Sequence, residues 1–162
     1  MTKPRIDDFD FVTIDEELKV DGLCQNLLQQ FYEHLQEAGL TPEQASDLAY
    51  CADYYVRDFV IDFKRQNLLK PEPGLVLQFA GNWYITRTLE PELGTLTKHL
   101  EAISGFYSFP NELGLISGTQ LEAVVADAAK TDFYSGRINS FLEIKGDGFV
   151  SWEQACPLRE VE

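Results

Sequence analysis

The residue types that could do chemistry are sparse, and the most suggestive run is EIKGDGFVSWEQ, residues 143–154. A calcium-binding EF-hand loop has twelve positions, with oxygen ligands at 1, 3, 5, 7, 9 and 12 and glycine at 6. With Gly148 as that glycine, Glu143 falls at position 1, Lys145 at 3, Asp147 at 5, Ser151 at 9 and Gln154 at 12, with Val150 on the hydrophobic position. Lys145 then brings an ammonium to a place that needs a carboxylate. Gln154 lacks the charged pair of oxygens that closes the site. A frame shifted to use Glu153 loses the glycine, Pro157 cuts the outgoing helix short, and no second hand follows. The sequence therefore predicts a turn in which the glycines permit positive φ. It joins the last helix to a short strand or coil, and Phe149, Val150 and Trp152 fold back onto the core.

Two histidines are available, His34 and His99. A di-iron bundle uses Glu-x-x-His on helices, but Phe31 and Leu96 stand where the glutamates would be, so both histidines are expected at the surface or its rim. Asp58 and Asp62 share a helix face, as do Glu43 and Asp47. Such pairs serve acid–base chemistry or metals; on so acidic a chain they read as a solvated face, with Arg57 and Lys64 offsetting part of the repulsion. Cys24 and Cys51 read as small core residues. Tyr50, Tyr54, Tyr55, Trp83 and Tyr84 could stack a ligand, but their helical spacing reads as core. There is no nucleophile elbow, phosphate-binding loop or dinucleotide fingerprint. No residue is assigned a catalytic, cofactor-binding or metal-binding role, and no cofactor is expected.

The elements that must position these residues are helices. Residues 6–17, IDDFDFVTIDEE, alternate apolar and acidic and read as an extended arm or edge strand. Leu23, Leu27, Leu28, Phe31 and Leu35 recur at helical spacing over 21–38, with Asp21 as cap and Gly39 at the end. Thr41, Pro42 and Gln44 form a capping-box start for a helix running to about Arg65. Its apolar stripe, from Ala45 through Leu48, Ala49, Ala52, Tyr55, Val56, Phe59 and Val60 to Phe63, is the clearest in the chain. NLLKPEPG ends it. Leu75, Val76, Phe79, Trp83 and Tyr84 suit a short helix, with strand left open by their type. Further helices are expected from near Pro91, with Pro110 kinking or ending it and NELG prolonging or capping it, from Thr119, and from Asp132, where Phe133, Ile138, Phe141 and Leu142 lie.

The composition bounds what such a bundle can do. The chain of 162 residues is 44% hydrophobic and 12% aromatic, enough for one domain with a sizeable core. No apolar run is long enough to cross a bilayer, and MTKPRIDDFDFVTIDEE lacks a secretory leader pattern. Three widely spaced cysteines, Cys24, Cys51 and Cys156, fit reduced thiols in the cytoplasm. Thirteen Lys and Arg against 27 Asp and Glu give a net charge of −14, spread along both halves of the chain. Such a field repels phosphate backbones and disfavours nucleic acid. It suits solubility or a basic protein partner.

From Tyr55 to Ser117 the order of features resembles the helical core-binding, SAM-like domain of tyrosine recombinases of the phage-integrase type. YYVRDFVIDFKRQNLL leads into GLVLQFAGNWYI and then LTKHLEAISGFYSFPNELGLIS. The resemblance covers residues 55–117 and rests mostly on core hydrophobics. It implies a bundle of four to five helices that clamps DNA beside a separate catalytic domain. The family's catalytic arginines, histidine and tyrosine have no room after Ser117, and its DNA-facing helices are basic where this chain is acidic.

The sequence thus predicts an all-α single domain of about five to six helices. An N-terminal arm spans 1–20, the helical domain 21–143, and a C-terminal turn and tail 144–162. The expected role is non-catalytic protein–protein contact. The alternatives are a DNA-associated module resembling a recombinase core-binding domain, and a small metal-dependent or carboxylate enzyme. The N-terminal arm offers a route to a homo-oligomer.

Overall fold

The computed structural model describes residues 4–158. Among these the fold is all-α, with seven helices, no strand and a lone 3-10 turn at Ile6–Phe9. Helix α1 is Ile14–Glu37. Helix α2 starts as Pro42–Asp53 and continues without a break through a π-helical stretch, Tyr54–Phe63. Helix α3 is built the same way, from Leu75–Gln78, a π-helical Phe79–Trp83, and Tyr84–Arg87. Then come α4 (Leu93–Glu112), α5 (Gly118–Ala128), α6 (Thr131–Leu142) and α7 (Phe149–Gln154).

Helix α1 begins before Asp21, because Thr13 caps it. The Thr13 hydroxyl accepts from the Glu16 amide at 3.1 Å, and the Glu16 carboxylate accepts from the Thr13 amide at 3.0 Å. That reciprocal pair satisfies amides the first turn leaves without partners. Much of the expected arm is therefore helix, and residues 6–9 form a turn, not a strand. The capping box at Thr41 and Gln44 forms as expected. Ser117, with Gln120, caps α5 in place of Thr119, and α6 starts at Thr131, ahead of Asp132. Pro110 lies inside α4, which continues to Glu112.

Helices α1 and α2 form a hairpin; α2 packs in turn on α4, and α4 on α5. Phe9, Phe31, Tyr55, Phe59, Phe79, Phe106, Tyr107 and Tyr134 are fully buried among aliphatic residues. Each such ring removes a large apolar area from water, the main favourable term in folding. Of the predicted stripe on α2, Phe63 is left partly exposed at the end of the π-helical stretch, as are Phe133 and Leu142 on α6.

Candidate functional site

The two π-helical stretches face each other, and the protein's densest ring cluster lies between them. Phe59 meets Phe79 at 5.3 Å and Trp83 at 5.2 Å between centroids, and Phe79 meets Trp83 at 5.7 Å. Both helices are widened where these large rings meet. π-helical turns often mark functional sites. Tyr54 covers the cluster from the solvent side, 5.3 Å from Trp83 and 5.4 Å from His99. Arg87 lays its guanidinium over Phe63 and Trp83 at 4.7 and 5.1 Å, a favourable cation–π arrangement.

His99 overturns the expectation of a surface histidine. It is 8% exposed, against Tyr54, Tyr84 and Phe79, and its Nδ1 has no hydrogen-bond partner. Burial pushes its pKa down, opposed by a hydrogen bond to the Cys51 backbone. The imidazole is thus held neutral, since desolvation disfavours its charged form. The sequence signal for burial was His99's place on the Leu96, Leu100 and Ile103 face of α4. His34 sits at the rim, with Nε2 3.5 Å from a Glu112 carboxylate oxygen.

The carboxylate pairs do not converge on a common point. Asp58 and Asp62 lie on the exposed side of α2, and Glu43 and Asp47 are exposed on its first turns. Burial and neighbouring Asp53 push the Asp58 carboxyl up. Among the described residues, no group of three or more His, Cys, Asp and Glu is arranged to hold a metal ion. Cys24 is buried, its thiol pushed up to about 12 chiefly by desolvation, and so it is a packing residue. Cys51 is half-buried, and Cys156 lies in the core.

The 143–154 run has a different geometry from a wrapped ion loop. Gly146 takes φ +61°, as the turn requires, but Gly148 is right-handed at −67°. Helix α7 begins at Phe149, so positions 7 to 12 of the calcium frame are helical and do not circle a point. Glu143, Lys145, Asp147, Ser151 and Gln154 are exposed. Of the three side chains expected to be buried, only Trp152 is, at 6%; Phe149 and Val150 are 45% and 61% exposed. A helix of this length buries one face, and Phe149 and Val150 lie off it.

What holds α7 is Arg137, which the sequence reading missed. This arginine is buried at 6% exposure. Its Nε donates to the Gly81 carbonyl at 2.8 Å and its Nη1 to the Trp152 carbonyl at 2.6 Å. Burial lowers its pKa. Asn82 Nδ2 donates to the Cys156 carbonyl at 2.8 Å, and Lys64 Nζ to the Leu158 carbonyl at 2.7 Å. A Cβ at Gly81 would come within 2.9 Å of Cys156 Sγ, so only glycine admits the tail this close.

A group of exposed apolar side chains lies at the other end of the chain. Val12, Ile14 and Leu18 are 85%, 75% and 68% exposed. Ile14 and Leu18 are one helical turn apart and lie on the α1 face that continues through Asp21, Gln25, Gln29 and Tyr32. Farther along, that face forms a wall of a groove of about 370 Å³, whose opposite wall is Ala49, Tyr50 and Asp53 of α2. Arg57 ties the walls together, reaching Asp21 at 2.9 Å and Asp53 at 3.3 Å. Tyr50 is 73% exposed at the groove edge.

The cations are mostly engaged. Arg65 holds Glu17 at 2.7 Å, Lys70 holds Asp7 and Asp10 at 3.3 Å, and Lys130 holds Asp127 at 2.9 Å. None of the helices among the described residues is long and apolar enough to cross a membrane. Comparison with protein-family models, with curated proteins and with solved structures yields no match.

Proposed function

We propose that this protein is a non-catalytic interaction module that binds another protein through the N-terminal face of α1. The observation that carries this reading is the exposed pair Ile14 and Leu18, with Val12 beside the cap. A stably capped helix holds these side chains in water, although apolar area gains from being covered. The reading places the protein in the cytoplasm, where its three free thiols would stay reduced. The DNA-associated alternative has less support. Arg57, Arg65, Lys70 and Lys130 are paired with carboxylates and Arg137 is buried, so these five do not line a phosphate-binding surface.

The test is a photo-crosslinking residue placed at Leu18, with the same residue at exposed Asn139 as control, in the cells that make the protein. A discrete heavier adduct at Leu18 and none at Asn139 is expected. Equal labelling at both positions, or none at Leu18, would sink the reading.

A further inference from the structure

The chemistry of the α1 face also specifies what should cover it. From Ile14 to Tyr32 this face is about 27 Å long at 1.5 Å per residue. It presents Ile14 and Leu18 at one end and the groove with Tyr32, Ala49 and Tyr50 at the other. Apolar side chains at both ends of one helix face, beside a groove between two helices, give an amphipathic helix two places to anchor.

The charge along this face is negative. Asp21 and Asp53 share a single cation, Arg57. At the open end, Asp15 flanks Ile14 in the first turn of α1 and is in no ion pair among the described residues, while Glu16, on the far side of the helix, directs its carboxylate to the amides of Val12 and Thr13. A second copy of the chain, itself carrying −14, would bring the same carboxylates against these, and like charges across an interface disfavour it. We infer that the occupant is a cationic amphipathic helix from another protein, with its apolar side on Ile14, Leu18 and Tyr50 and its Lys or Arg residues flanking them. This rests on the interaction-module reading and adds the partner's chemistry to it.

The experiment uses the full chain, labelled with nitrogen-15, and three synthetic helices of about 18 residues, long enough to span the face. One is a Leu/Lys amphipathic helix, one a Leu/Glu amphipathic helix, and one a Lys/Gln helix with the positive charge but no apolar side. The Leu/Lys helix is expected to give saturable shifts confined to amides of 14–32 and 46–57. Its affinity should fall about tenfold or more in the Ile14→Asp/Leu18→Asp variant, the loss of apolar anchors at the centre of a contact. That variant should keep its helical circular dichroism, since both positions are exposed and Ile14 opens the first turn, where aspartate is favoured. The other two helices should bind at least about tenfold more weakly.

Equal binding by the Leu/Glu or Lys/Gln helix overturns the inference, as do shifts centred elsewhere, an unaffected double variant, or no saturable binding at all. Concentration-dependent shifts of the same amides without peptide overturn it in favour of self-association. A Leu18 crosslink to another protein, found together with any of these failures, leaves the interaction module standing and removes only the cationic-helix partner.

Discussion

Arg137 and Trp152 hold each other in a closed exchange. The arginine donates to the Trp152 carbonyl at 2.6 Å, the indole Nε1 donates to the Arg137 carbonyl at 3.0 Å, and the guanidinium lies 3.8 Å from the indole ring centroid. Helix α7 is too short to stand alone, since isolated helices shorter than about 12 residues are marginal in water. This pair, with the bond to Gly81, is what docks it. Arg137→Leu would leave the Gly81 and Trp152 carbonyls buried without their donor. A loss of about 3 kcal/mol is expected from urea denaturation. Arg137→Lys should recover only part of it, because one ammonium does not reproduce the guanidinium fork.

Gly81 and Cys156 are coupled by contact. Gly81→Ala should destabilise the fold by about 1–3 kcal/mol, the usual range for overpacking a tight site. Combining it with Cys156→Ala, which removes the thiol the new methyl meets, should cost less than the sum of the two single changes. A double-mutant cycle by chemical denaturation measures this. Strict additivity would mean that the backbone, not Sγ, opposes the methyl.

His99 gives stability a pH dependence on the acid side. Its folded pKa is lowered by burial, so the unfolded chain binds the proton more readily. Stability from this group is complete above the unfolded value of about 6.5 and is lost as pH falls below it toward the depressed folded value. The denaturation midpoint should therefore begin to fall below about pH 6.5, before most carboxylates titrate. His99→Gln should remove that early slope. A wild-type midpoint flat from pH 7 to 5 would show that protonation finds a partner in the folded state.

Calcium should leave the protein unchanged. With Phe149–Gln154 helical and Lys145 exposed in the turn before it, millimolar calcium is expected to shift the melting temperature no more than magnesium does. A calcium-specific rise would mean that α7 unwinds to form a loop around the ion.

Much of the architecture was legible because local chemistry specifies it. Thr41, Pro42 and Gln44 announce the start of α2, and the apolar period from Ala45 to Val60 orients it. The errors arose where two patterns competed. The alternation in IDDFDFVTIDEE read as an extended arm, while the Thr13–Glu16 capping box embedded in it starts a helix. Ile14 and Leu18 then project outward, and a pattern of apolar residues cannot tell a core face from an exposed one. Phe149 and Val150 failed for the same reason. His99 and Arg137 were missed because polar residue type was weighed over position: His99 sits on α4's apolar face, and Arg137 is one position before buried Ile138. The partners that receive Arg137's hydrogen bonds are backbone carbonyls distant in sequence, which composition does not reveal.

The loop after α2 has a consequence for how the chain would respond to force. Lys70 reaches Asp7 and Asp10, Asn67 Nδ2 reaches the Ile6 carbonyl at 2.9 Å, and Lys64 at the head of the loop holds the Leu158 carbonyl. Both outer segments of the described chain thus share contacts with one stretch, 64–70, in addition to their anchors in the core. A pull applied between residues 6 and 158 would load the polar contacts of that stretch together with buried Phe9 on one side and the Arg137–Trp152 pair on the other. Neither end should therefore come away without opening part of the core.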